Sequence, residues 1–145
     1  MQANPQHNQL LVKHNLKITT PRLSVLAVLT TREMATSQPD LEQLLGSKID
    51  RVTLYRTLST FEKKGILHKV MGANGTLNYA LCSGACTQHN HHDKHVHFNC
   101  TLCLNVYCLD KLQIPQLQIP DGFTTKKIDL MVSGVCHKCN NADSK

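Results

Sequence analysis

The chain has 145 residues, of which 41% are hydrophobic and 4% aromatic, and it contains no tryptophan. That length suits one ordinary domain or two small ones, and a small domain here would be short of large core side chains, a shortage that a bound metal often remedies. A formal charge of +6 points to an anionic partner, with nucleic acid ahead of a membrane surface; the plainer alternative is that it only keeps the chain soluble.

The opening "MQANPQHNQLLVKHNLK" holds no apolar core of signal-peptide length, and no apolar run reaches membrane-spanning length. The expectation is therefore a cytoplasmic protein without a membrane partner. In that compartment seven cysteines argue for metal or redox chemistry rather than structural disulfides.

Helical signals cluster in residues 1–68. Thr19 or Thr20 can cap a helix with Pro21 in its first turn, followed by the apolar "LSVLAVL". "QPDLEQLLG" predicts a short helix with Leu41, Leu44 and Leu45 on its face and Gly46 at its end. "DRVTLYRTLSTFEKKG" predicts a third, starting near Asp50, with Val52, Leu54, Leu58 and Phe61 roughly on one face and Gly65 as its stop. "ILHKVM" and "TLNYAL", separated by the turn-rich "GANG", read as a β-hairpin. Helix-turn-helix followed by a hairpin is a winged helix, and Arg51, Arg56, Lys63 and Lys64 give its third helix a basic character.

Composition changes after Leu81: "CSGACTQHNHHDK" is polar and turn-rich and reads as a hinge. Beyond it "HVHFNC", "NVYCLD" and "TTKKIDLMVSGVC" predict strands, the last with Thr124, Lys126, Ile128, Leu130 and Val132 on one face. The two prolines of "KLQIPQLQIPDG" forbid a long regular helix, and the tail "NNADSK" reads as loose. The fold expectation is α+β: a winged helix-turn-helix DNA-binding domain over 1–82, a hinge over 83–94, and an α/β dimerisation and metal-binding domain over 95–145.

Two CxxC pairs stand in the second half, Cys100 with Cys103 and Cys136 with Cys139. Two intervening residues let both sulfurs point into one tight turn, and two such turns complete a tetrahedral thiolate shell that suits Zn²⁺. The alternatives are a redox CxxC or an iron site. A thioredoxin-type motif would open a helix, however, whereas "CTLC" is followed by strand-like residues. His95 and His97 are two apart on a predicted strand, so both imidazoles can reach one ion; the alternative is a pair of solvated histidines. His89, His91 and His92 are further ligands or a solvated tract.

The stretches "TTPRLSVLAVL", "VTLYRTLSTFEKKGIL", "HVHFNCTLC" and "GFTTKKIDLMVSGVCHKC", in that order, resemble the ferric uptake regulator family of metal-responsive repressors. The resemblance implies a winged helix, a hinge and a C-terminal dimerisation domain, with a structural zinc on Cys100, Cys103, Cys136 and Cys139. It also implies a sensing site at the hinge that includes His95 and His97. The chain departs from the iron-type pattern: Ala35 and Thr36 stand where that type has a histidine, and Cys108 stands where it has an acidic residue. The zinc-responsive branch is closer and implies a regulatory set of His68, Cys82, His95 and His97. In that set Cys86 is an alternative to Cys82, and Cys108 is either a buried thiol or a replaced ligand.

For DNA, the third helix offers Arg51, Thr53, Tyr55 and Arg56; the resemblance implies that Tyr55 and Arg56 touch base edges and phosphates and that residues around Lys17 and Arg22 contact backbone or minor groove, with Tyr55 alternatively part of the core. The expected activity is that of a homodimeric, non-enzymatic repressor on a palindromic double-stranded operator. It carries one structural and one regulatory Zn(II) per chain and governs metal uptake without a small-molecule substrate. Fe(II) or Mn(II) at the regulatory site is the alternative within the family. A zinc hydrolase, for which only Asp93 stands near as a base, and a metal-storage protein are the alternatives outside it.

Overall fold

The computed structural model describes residues 4–82 and 95–142, the side chain of His95 excepted. The stretch expected to be a hinge, 83–94, with Cys86, His89, His91, His92 and Asp93, lies outside them. Among the described residues eleven helices and strands follow one another: α1 (Pro5–Lys13), α2 (Thr20–Thr31), β1 (Thr36–Ser37), α3 (Gln38–Leu45), α4 (Arg51–Lys63), β2 (Leu67–Met71), β3 (Leu77–Leu81), β4 (His95–Cys100), β5 (Val106–Gln113), β6 (Met131–Gly134) and α5 (His137–Ala142). A 3₁₀ turn, Gly46–Lys48, links α3 to α4.

The expected helix-turn-helix and hairpin are present, each with local causes. The Ser37 hydroxyl accepts the Asp40 N–H at 3.2 Å and opens α3. Asp50 does the same for α4, accepting the Thr53 N–H at 2.9 Å. Gly65, at φ 78°, closes α4 in the left-handed conformation; its N–H reaches Glu62 O at 3.1 Å and the Ile66 N–H reaches Phe61 O at 2.8 Å. Thr19 stands at the cap of α2 but its hydroxyl makes no capping bond.

Several expectations need correction. Val52 is 58% exposed and Leu44 is 49% exposed, so neither belongs to the buried face. Val52 precedes Leu54 by two residues, about 200° round a helix, which turns it away from the core. The long strand expected over Thr124–Val132 shrinks to β6, which runs parallel to β4 from Met131 opposite His97 to Gly134 opposite Cys100. Earlier in that stretch the side chains of residues 124–129 are exposed, and the described ladder ends near the start of β4. Asn140–Ala142, expected to be loose, belong to α5.

The sequence reading missed α1. Asn4 caps it, accepting the Gln6 N–H at 3.0 Å, and Leu11 is fully buried among Leu26, Leu54, Leu58 and Phe61. His14, just past its end, bonds through Nδ1 to the Lys64 carbonyl at 2.8 Å, tying α1 to the end of α4.

Two three-stranded sheets result, ordered β1-β3-β2 and β5-β4-β6. They meet at the stretch between α2 and α3. Met34 bridges to Tyr107, and the Ala35 N–H donates to the Val106 carbonyl at 2.7 Å. Ala35, Val70, Ala80 and Val106 form a small buried cluster at this seam. In the turn after β2, the Ala73 N–H donates to Asn99 Oδ1 at 3.3 Å. His68 and Val70 are two apart on β2 and both buried, so the strand's alternation turns both toward the second sheet.

Candidate metal centres

The four CxxC cysteines converge. A tight turn after β4 returns Cys103 beneath Cys100, and the start of α5 brings Cys136 and Cys139 against them. Cys100 Sγ lies 3.8 Å from Cys139 Sγ, and Cys103 Sγ 3.8 Å from Cys136 Sγ. None of the four is in a disulfide. A tetrahedron with metal–sulfur bonds of about 2.3 Å has edges of about 3.8 Å, so these two sulfur pairs already stand at the separation a closed thiolate shell requires, and all four sulfurs lie within 4.8 Å of one another.

The surroundings favour thiolate. The N–H groups of Cys103 and Cys136 point at Cys100 Sγ at 3.5 and 3.4 Å, and these bonds, that of Cys103 foremost, hold its thiol down to about 6. Cys136 is lowered too, first by the Cys139 N–H and then by the Tyr107 hydroxyl, which donates to its sulfur at 3.6 Å. Cys139 moves the other way, pushed up to about 12 chiefly by the neighbouring Cys136 sulfur. These contacts favour the thiolate at Cys100 and Cys136, and a cation would displace the protons of the other two.

A second cluster sits where β2 faces β4. His68 and His97 are 9% and 8% exposed, with Nε2 atoms 3.2 Å apart. Cys108, on β5 directly opposite His97, places Sγ 3.8 Å from His68 Nε2. These three ligand atoms all lie within 4.8 Å of one another. Cys82 also touches His68, but at the other ring nitrogen, with Sγ 3.7 Å from Nδ1. His95 begins β4; the expectation for its side chain lies outside the described residues. A cavity of about 700 Å³ opens beside His68 and His97, bounded by Lys69, Ile114–Leu117 and Thr125–Asp129.

Of the regulatory residues expected from sequence, the structure therefore joins His68 to His97. It sets Cys82 behind the ring and adds Cys108, for which the signal was present in the alternation of β5 but needed the strand register to be read.

The expected DNA-contacting residues divide by exposure. Tyr55 is 60% exposed and Arg56 is exposed beside it on α4, so Tyr55 is not core. Arg51 pairs with Glu42 of α3 at 3.1 Å. The Thr53 hydroxyl donates back to Asp50 at 2.6 Å, which engages it with the helix cap. Arg22 holds the Lys17 carbonyl at 2.7 Å, bringing these two basic residues together ahead of α2. Among the described residues no helix is long and apolar enough to cross a membrane.

Comparison with known proteins points one way. Residues 13–133 match the model of the Ferric uptake regulator family. The ferric uptake regulation protein of Neisseria meningitidis serogroup B is 33% identical over 132 residues, covering 86% of each chain. That of Klebsiella pneumoniae is 31% identical over 138 residues, covering 90% of this chain and 84% of its own. Among solved structures, the Vibrio cholerae ferric uptake regulator superposes with a TM-score of 0.60 at 25% identity, covering 89% of this chain and 98% of its own. A zinc uptake regulator complexed with zinc and DNA superposes with a TM-score of 0.66 at 22% identity, covering 97% of this chain and 94% of its own, a likeness of fold.

Proposed function

Because the chain belongs to the ferric uptake regulator family of metal-responsive transcription regulators, which are not enzymes, we propose that it is a zinc-responsive repressor of metal-uptake genes. One observation carries this reading. His68 on the hairpin of the helical unit and His97 on the second sheet bring their Nε2 atoms to 3.2 Å. A cation bound there ties the two units into one orientation.

The closed shell of Cys100, Cys103, Cys136 and Cys139 is the structural zinc site; its all-sulfur donors and their spacing support Zn²⁺ over harder cations. The site at His68 and His97 is the regulatory one, with His95 and Cys82 as the further donors expected from sequence. Nitrogen and sulfur donors support Zn²⁺ there as well, since Fe²⁺ and Mn²⁺ favour more oxygen ligands. The ferric uptake relatives keep Fe²⁺ as the competing ion.

The DNA-facing surface is α4, where Tyr55 and Arg56 project together: the ring can pack on a thymine methyl and the guanidinium can reach phosphate or guanine. Lys17 and Arg22 add backbone contacts. Leu112, Leu117, Ile119, Phe123, Met131 and Val132 are exposed apolar residues of the C-terminal unit and support a homodimer, which would present two α4 helices to successive major grooves of a palindrome. Metal and DNA then raise each other's affinity by one and the same factor.

A gel shift on a candidate palindrome with buffered Zn²⁺, Fe²⁺ and Mn²⁺ in turn, paired with elemental analysis per chain, tests this. One tightly held zinc and one exchangeable zinc that controls binding is the expected result. Operator binding that needs only Fe²⁺ would move the protein to the competing reading.

A further inference from the structure

We propose that the groove between α2 and the end of α3 is a binding site for a small monocarboxylate with a short alkyl tail. It shares no residue with either metal centre or with the expected DNA contacts, and it does not depend on the repressor reading.

The walls follow from helix geometry. α2 buries Val25, Leu26 and Leu29 in the helical core. Round the helix, Ser24, Ala27, Val28 and Thr31 keep the spacing of a second stripe and form one wall of a groove of about 240 Å³. Leu44 and Leu45, at the end of α3, form the other. The 49% exposed Leu44 thus belongs to this groove rather than to the core. The Thr31 hydroxyl donates to the Val28 carbonyl at 2.9 Å, so the helix itself takes up that polar group. What remains between the walls is chiefly hydrocarbon.

The charge is of one sign. Arg32, just past the end of α2, and Lys48, in the 3₁₀ turn after α3, complete the lining, and no acidic residue belongs to it. The acids nearest to hand in the sequence are engaged elsewhere: Glu33 lies 3.2 Å from Lys138, and Glu42 lies 3.1 Å from Arg51.

Arg32 adds the observation that points to a ligand. Its Nε is buried and, among the described residues, meets no hydrogen-bond acceptor. A guanidinium donor taken out of water without an acceptor is costly. A carboxylate in the groove supplies that acceptor in the planar geometry a guanidinium prefers, with Lys48 as a second cation. Its alkyl tail then lies on Ala27, Val28 and Leu44. The hydrocarbon walls disfavour a bare inorganic anion, and the volume is below that of a drug-sized ligand.

The test uses the full chain, labelled with ¹⁵N and carrying zinc in the four-cysteine site, titrated with sodium hexanoate at constant ionic strength. Saturable amide shifts are expected in α2, α3 and the turn after it. Hexylammonium, with the same tail and the opposite charge, should produce none, and acetate should bind about tenfold or more weakly than hexanoate because it lacks the tail. Arg32→Gln removes the charge and Ala27→Leu fills the groove with both cations kept. Each should weaken hexanoate by about tenfold or more, while zinc content and far-ultraviolet circular dichroism show that the variants are folded.

Absence of saturable shifts, equal shifts with hexylammonium, equal affinity for acetate, or full affinity in both folded variants overturns the proposal. Acetyl-glycyl-leucine carries the same carboxylate and alkyl group on a peptide. If it binds and hexanoate does not, the occupant is a protein terminus and the small-molecule assignment falls. No arm of the test uses an operator or an exchangeable metal, so its failure and that of the repressor reading are read separately.

Discussion

The Tyr107 hydroxyl donates to Cys136 Sγ at 3.6 Å while the Tyr107 backbone bridges to Met34. One residue thus touches the four-cysteine site with its side chain and the helical unit with its main chain. The contact is reinforced outside by Glu33, whose carboxylate lies 3.2 Å from Lys138 Nζ and 3.8 Å from His137 Nε2. Burial pushes the Tyr107 hydroxyl up, so at neutral pH it remains the donor that the sulfur requires.

Tyr107→Phe should leave the fold intact and weaken the four-cysteine site. The ring still fills its place, and one hydrogen bond to a charged acceptor is lost, about 1.5–3 kcal/mol. Transfer of zinc to a chromophoric chelator should quicken, and the midpoint of chelation should fall by about tenfold or more.

The same site should lose metal as pH falls. Its ligands must be deprotonated to bind, so protons compete with the ion for the four sulfurs. Zinc should therefore be held at neutral pH and released on acidification, at a pH below the metal-free thiol range because the bound ion holds the thiolates. Zinc-indicator absorbance followed down a pH series checks this; retention independent of pH would contradict the thiolate assignment.

Replacing His68 and His97 together with alanine should abolish metal dependence of operator binding and leave one zinc per chain in the four-cysteine site. Elemental analysis and a gel shift read the two arms. A double variant that still needs added Zn²⁺ would place the regulatory ion elsewhere.

Arg56→Ala should weaken binding to every DNA sequence and, if it contacts phosphate, reduce the salt slope by about one. Tyr55→Ala should instead relax preference at one base position, at a cost of about 1–3 kcal/mol. Both residues are exposed, so thermal unfolding of the two variants should match the parent.

Leu11→Ala tests a different feature. The side chain is fully buried in the helical core, and truncating such a leucine costs about 2–5 kcal/mol. Urea unfolding should show that loss, which a peripheral α1 would not produce.

The helix-turn-helix, the hairpin and the four-cysteine shell were legible because each rests on short-range chemistry. Ser37 and Asp50 cap, Gly65 stops, and CxxC spacing fixes a turn. What escaped depends on partners distant in sequence. α1 has a polar start and a narrow apolar stripe, and its stability comes from Leu11 entering a core built by α2 and α4. The strand expected from Thr124 onward has the right alternation, but its described ladder with β4 spans only four residue pairs. Cys108 could be placed on a strand from sequence, whereas its position opposite His97 is a property of the pairing. Val52 and Leu44 were misassigned because an apolar residue on a helix need not lie on the buried stripe.

The stretch Met34–Ser37 pairs with both sheets, with Tyr107 of one and with Tyr79 and Asn78 of the other. A four-residue edge shared in this way makes the two sheets a single unit for amide exchange. The Ala35 N–H, closed at 2.7 Å on Val106, can exchange only when the sheets part, so its protection reports on the parting of the two units without any label, ligand or DNA.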